Sequence, residues 1–194
     1  NFEWYELYDF IEFISNSVSP TFNEDFIYYC NKVLKEENSA YRFINNILTP
    51  ITNEIEISEI DSAIENSNKD SLNGVKVHLE TALKKLSDKK NPDYRNSIKE
   101  SISAVESLAK KISNNNKDSL GGALDKIKGK IKLHQSLERG FKQIYGYTSD
   151  ADGIRHALSE ESTCDFDDAK YMLVSSSAFI NYLISKSEKA GISL

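Results

Sequence analysis

Arg155 and His156 stand side by side in the stretch Gly146-Tyr-Thr-Ser-Asp-Ala-Asp-Gly-Ile-Arg-His156. An imidazole exchanges a proton near neutral pH, whereas a guanidinium keeps its charge throughout. Such a pair could take the proton of a ribose 2′-hydroxyl and steady the charge gathering on the adjacent phosphate. RNA cleavage by internal attack needs both functions and no metal ion. Consecutive residues on a helix point in different directions, so the two need not converge on one atom. The plainer alternative is that Asp150 or Asp152 caps a short helix while Arg155 and His156 make structural hydrogen bonds.

A second polar constellation lies in Asn91-Pro-Asp-Tyr-Arg-Asn-Ser-Ile-Lys-Glu-Ser-Ile-Ser-Ala-Val-Glu106. On a helix, Arg95, Lys99 and Ser103 share one face at steps of four, and Asn96, Glu100 and Ser103 form a neighbouring stripe. These groups either line a site or make an exposed face on which Asp93 and Glu100 pair with Arg95 and Lys99. Glu106 follows Val105 on the apolar seam. If buried it needs a partner, and Arg155 or His156 could supply one. Asp150, Asn96 and Glu106 are therefore candidate orienting groups, with Arg95 and Lys99 as candidate sources of positive potential. Phosphate-loop, dinucleotide, HExxH, CxxC and GxSxG motifs are all missing, and no cofactor or metal is expected. Cys30 and Cys164, far apart in sequence, read as free thiols in a reducing cytoplasm. Glu36-Glu37 and Glu160-Glu161 read as solvated surface.

The elements that carry these groups are mostly helical. Trp4, Leu7, Tyr8, Ile11 and Ile14 fall on one stripe, and Phe22, Phe26, Tyr29, Cys30 and Val33 on another, opened by Pro20 with Thr21 or Asn23 as cap. Two short β-forming runs, 41–44 and 47–51, flank Asn45-Asn46, a pair suited to a two-residue hairpin turn, with Pro50 keeping the second strand at an edge. Ile57, Ile60, Ala63 and Ile64 resume the helical rhythm. The turn-rich 66–73 run marks a boundary, giving an N-terminal helical segment with its hairpin over 1–70 and a helical bundle over 71–194. Four helices are expected in the bundle, joined up and down: one through Leu79 to Leu86, one through Ile98 to Ile112, one from Leu120 to Ile144 weakened at Gly129 and Gly140, and a closing one through Ala169 to Leu183. The fold class is all-α with a small β-hairpin.

The chain has 194 residues, 39% hydrophobic and 28% charged, enough for a buried core and too ordered in composition for a disordered chain. A net charge of −6 removes any whole-chain basic footprint for nucleic acid, although a local basic cleft remains compatible with it. No apolar run approaches the roughly 20 residues of a membrane helix, so no membrane partner is expected, and no DNA. The start at Asn1, without an initiator Met or a charged-then-apolar leader, reads as the start of a fragment of a cytoplasmic protein.

The stretches 92–106 and 145–157, followed by the helix 169–183, resemble the HEPN superfamily. More narrowly they resemble the C-terminal HEPN-like domains of bacterial abortive-infection proteins of the AbiJ type. Glu37-Asn-Ser-Ala-Tyr-Arg-Phe-Ile44 and Leu48-Thr-Pro-Ile-Thr52 are similar to the N-terminal domain that accompanies them. The resemblance implies a helical bundle, a homodimer formed through it, and a metal-independent endoribonuclease of phage defence acting on RNA, tRNA among the substrates. Active members carry an Arg about four to six residues before a His. No Arg here has a His at that distance, and aligning His156 with the family His puts Ser149 and Asp150 where Arg and a polar residue would stand. His156 carries over as general base or acid and Arg155 as a displaced phosphate contact. A binding or dimerisation module without catalysis is the rival reading, and a third gives the first 70 or so residues only the role of completing the bundle.

Overall fold

The structure, a computed structural model, describes residues 3–149 and 164–194. Among them the chain forms α1 (Trp4–Ser17), α2 (Pro20–Glu36), β1 (Arg42–Ile44), β2 (Ile47–Thr49), α3 (Glu54–Asn66), a 3-10 turn (Asp70–Leu72), α4 (Asn73–Leu86), α5 (Tyr94–Ser113), α6 (Leu120–Ile127), α7 (Gln135–Ser149) and α8 (Phe166–Lys189). The fold is all-α with one small antiparallel ribbon, as the patterning implies.

Local chemistry accounts for most element ends. The Asn53 side chain accepts from the amides of Ile55 and Glu56 to open α3. Asp93 accepts from Asn96 to open α5, which Asn114 closes at a left-handed φ of 59°. Asp165 and Asp168 form a reciprocal capping box on α8. Pro20 occupies the first turn of α2, but neither Thr21 nor Asn23 caps it: Ser19 precedes the helix, and Asn23 is buried, its amide donating to Asn46 Oδ1 at 3.1 Å. In the hairpin, Asn45 and Asn46 take φ of 44° and 64°, the turn that matches strand twist, and Ile44 faces Ile47 across it. Both ribbon edges are closed by side chains. Asn31 bonds the N–H and C=O of Phe43 at 2.7 and 3.3 Å, and Glu12 accepts the Leu48 N–H at 3.3 Å.

One core runs from Ile44 and Ile51 through Ile60, Leu79, Ile102 and Leu108 to Ile180 and Ile184. It crosses the boundary expected near residue 70, because α3 packs on α8 and Asn181 donates to the Glu59 carbonyl and carboxylate at 3.0 and 2.8 Å. Helix α5 is central, touching α4, α6, α7 and α8. It packs closely on α4, where the Ser97 hydroxyl donates to the Ala82 carbonyl at 2.8 Å. The single helix expected over 120–144 is two. The chain turns over 128–134, with Lys132 at φ 52°, and Ile131 and Leu133 fold back into the core. Gly129 sits in open space there, and its low helix propensity is the local reason for the break. On α7 the expected apolar position Leu137 is exposed and Glu138 is buried instead, its charge met by Lys142 at 2.6 Å. None of the described helices is long and apolar enough to cross a membrane.

Candidate functional site

Three helix ends meet at one end of the bundle. Tyr94, the first residue of α5, lies edge-on to Phe166, the first residue of α8, with centroids 6.3 Å apart. Near the end of α7, burial pushes the Tyr147 hydroxyl above its ordinary value, and the carboxylates of Asp168 and Asp165 at the start of α8 push the same way. Tyr94 is raised by burial and then by Asp165. The end of α7 and the start of α8 thus lie near the first turn of α5, which holds Arg95 and Asn96. Asp150, Arg155 and His156 themselves lie outside the described residues.

The groups expected on α5 separate into two sets. Arg95 and Asn96 are half-buried in its first turn, with Lys99 exposed one turn on. Asn96 works locally: its backbone and side-chain amides donate to Asp93 at 3.1 and 2.8 Å. Burial pulls the Asp93 carboxyl up, but these bonds and Lys85 at 3.0 Å hold it below the usual carboxylate range. Glu106 lies about 16 Å further along the helix at 1.5 Å per residue. Its partner is Lys110, at 2.6 Å. It is thus far from the end that holds Arg95.

Two arrangements are invisible in the linear pattern. His78, expected on the apolar seam of α4, is half-exposed, and its Nδ1 lies 2.6 Å from Glu100 Oε2 on α5. A carboxylate on one ring nitrogen fixes the ring and leaves the other nitrogen to a ligand or proton. The antiparallel packing of α4 on α5 makes this pair, so a separation of 22 positions hides it. The second arrangement is a basic corner where α6 turns into α7. Lys126, Lys128, Lys130 and Lys132 alternate along the turn, followed by Arg139 and Lys142. Lys126 pairs with Asp118, and Lys128 and Lys142 share Asp125 at 2.9 and 2.8 Å. Hydrogen bonds from Lys142 and then Lys128 hold the Asp125 carboxyl well below its ordinary value. Lys130, Lys132 and Arg139 are exposed and make no ion pair among the described residues. The Lys-Ile-Lys-Gly-Lys-Ile-Lys run is the sequence signal for this patch.

A cavity of about 410 Å³ lies at the far end of α5, bounded by Ser71, Gly74, Ser107, Lys110, Lys111 and Asn114. Another of about 690 Å³ lies between α2 and α3, with Lys32, Arg42, Glu54 and Asp61 on its walls. Burial raises the Asp61 carboxyl to about 6 despite the bond it accepts from the Asn45 amide at 3.1 Å.

Residues 1–66 match the family model of AbiJ N-terminal domain 4, so the N-terminal part of the chain is similar to an AbiJ N-terminal domain. No curated protein and no solved structure matches the chain.

Proposed function

We propose that this chain acts in abortive infection as a phage-defence protein whose bundle, HEPN-like by resemblance, is a metal-independent endoribonuclease. The observation that carries the reading is the meeting of α5, α7 and α8 at one end of the bundle. There the end of α7 and the start of α8 come together near Tyr94, the first residue of α5. The AbiJ-type N-terminal domain supports the defence context.

In this reading His156 takes the proton from a ribose 2′-hydroxyl. The oxygen attacks the adjacent phosphate, and the 5′-oxygen leaves with a proton, giving a 2′,3′-cyclic phosphate and a 5′-hydroxyl. Arg155, assisted in this reading by Arg95 and Lys99, stabilises the charge on the phosphate, and Asp150 orients the ring. Asn96 and Glu106 take no part, being committed to Asp93 and Lys110. The exposed Lys130, Lys132 and Arg139 supply backbone attraction for a polyanion within an acidic chain. In this reading the protein works in the cytoplasm as a homodimer that carries two such segments.

The test is to incubate the protein with tRNA and total RNA in EDTA, beside His156→Ala and His78→Ala variants. The expected result is cleavage by the wild type and by His78→Ala, with cyclic-phosphate ends, and none by His156→Ala. Equal cleavage by wild type and His156→Ala ends the assignment. The absence of an Arg at the family's distance from His156 favours a second reading, a non-catalytic binding module. RNA bound by the wild type but never cut is its signature.

A further inference from the structure

The helices α1 and α2 together bury only Ser15 and Asn23, although both carry long apolar stripes. Leu7, Phe10, Ile11 and Ile14 follow the i, i+3, i+4, i+7 rule on α1, and Phe22, Phe26, Tyr29 and Val33 recur at i, i+4, i+7, i+11 on α2. Leu7, Phe10, Phe22, Tyr29 and Val33 are 56, 58, 57, 61 and 55% exposed. Between the helices runs a groove of about 270 Å³ whose lining, including Ile11, Phe26, Tyr29 and Val33, presents no polar surface.

We propose that this face is where a second copy of the chain docks, α1–α2 against α1–α2 about a two-fold axis. The area decides the occupant. Five side chains more than half exposed, at roughly 100 Å² each, and the partly exposed Ile11, Ile14 and Phe26 make a patch on the order of 700 Å². That exceeds the roughly 300–600 Å² patch of an ordinary monomer and approaches the roughly 800 Å² each partner contributes to a standard interface. The face carries an apolar groove and, beside it, the exposed rings of Phe10 and Phe22, so a two-fold contact sets rings of one copy against the groove of the other.

The rim adds a signature. Glu6, Asp25 and Glu36 flank the patch, with Lys32 the basic residue beside Tyr29. Two copies meeting here bring like charges together, so added salt strengthens the contact, whereas it weakens one made by ion pairs. This dimer surface is separate from the bundle and does not depend on RNA cleavage.

Sedimentation or light scattering on the full chain tests the proposal, beside single variants Phe10→Glu and Tyr29→Glu. Both positions are exposed, so the variants fold, and circular dichroism and melting confirm it. The expected result is a wild-type dimer of twice 22.0 kDa that tightens between about 50 and about 500 mM NaCl, and a Kd at least about 100-fold weaker in both variants. A wild type that is monomeric at about 100 μM overturns it, pointing to a partner of another sequence. So does a dimer indifferent to both substitutions, which places the contact on the bundle.

Discussion

Helices α1 and α2 are as amphipathic as α4 and α5, yet the two pairs are held in opposite ways. In the bundle, Leu79, Leu83, Ile98, Ile102 and Leu108 are fully buried, and the contact is dry. The N-terminal pair is attached by polar and aromatic ties. Lys89, its side chain 5% exposed, reaches Asp9 at 3.0 Å and Glu12 at 2.9 Å. Tyr8 stacks on Tyr41 with centroids 4.9 Å apart and bonds Ser39 at 2.9 Å, and Asn23 and Asn31 grip the hairpin. An apolar stripe therefore announces that a helix will be covered without saying by what. In α4 and α5 the cover is the rest of the chain. In α1 and α2 the inward side is spent on directional bonds and the stripe is left facing water.

The contrast yields measurable differences. Truncating Leu108 to Ala removes a fully buried side chain from the centre of the bundle, and urea melts should show a loss of about 2–5 kcal/mol. Phe10→Ala, on the face that the chain leaves open, should change monomer stability by no more than about 0.5 kcal/mol. Equal losses would erase the distinction.

Asp61 lies where the hairpin meets α3, and its folded pKa of about 6 is above its ordinary 3.8. The native state thus holds this proton more tightly than the unfolded chain, so stability falls as pH rises from about 4 to about 6 and stays reduced above. Asp61→Asn should remove that slope. The variant should be more stable than wild type at about pH 7.5, by at most about 3 kcal/mol before solvent screening, and no more stable at about pH 4. Melting temperatures at the two pH values check this.

Lys89→Met leaves two carboxylates without their cation and should cost about 1–3 kcal/mol. Hydrogen exchange should speed up in residues 4–17 while α5 keeps its protection, if the polar ties hold α1 as a separate layer. A smaller loss than that of Leu108 belongs to the turn. Asn45→Ala, at φ 44°, should cost about 1 kcal/mol, and Asn45→Gly less, since glycine accepts the left-handed region without a Cβ clash.

Much of the architecture is legible before folding. Pro20, the Asn45-Asn46 turn, the Asp93 and Asp165 ends and the apolar rhythm of α5 and α8 are local signals, and each element forms where its signal lies. The break after Ile127 is harder to see, because Ile131 and Leu133 keep the apolar rhythm while Lys132 reverses the chain. The caps of α2 misread for a similar reason: Asn23 is a good capping residue, but it is buried against the hairpin, where its side chain donates to half-buried Asn46 instead of closing the helix end.

For the candidate site the division is sharper. Arg155 and His156 are conspicuous by type alone, and so is the polar stripe of α5. The assignment of that stripe is a matter of packing. Asn96 closes on Asp93, Glu106 on Lys110, and Glu100 on His78 from the neighbouring helix. Short-range periodicity determined that this chain would be helices around one hairpin, since propensity, capping and turn chemistry act within a few residues. Which stripes find cover inside the chain, which charges find partners, and which helix ends come together at one end of the bundle were decided only by the tertiary structure. Those outcomes depend on antiparallel pairing and on competition for burial between residues far apart in sequence, and no local pattern encodes them.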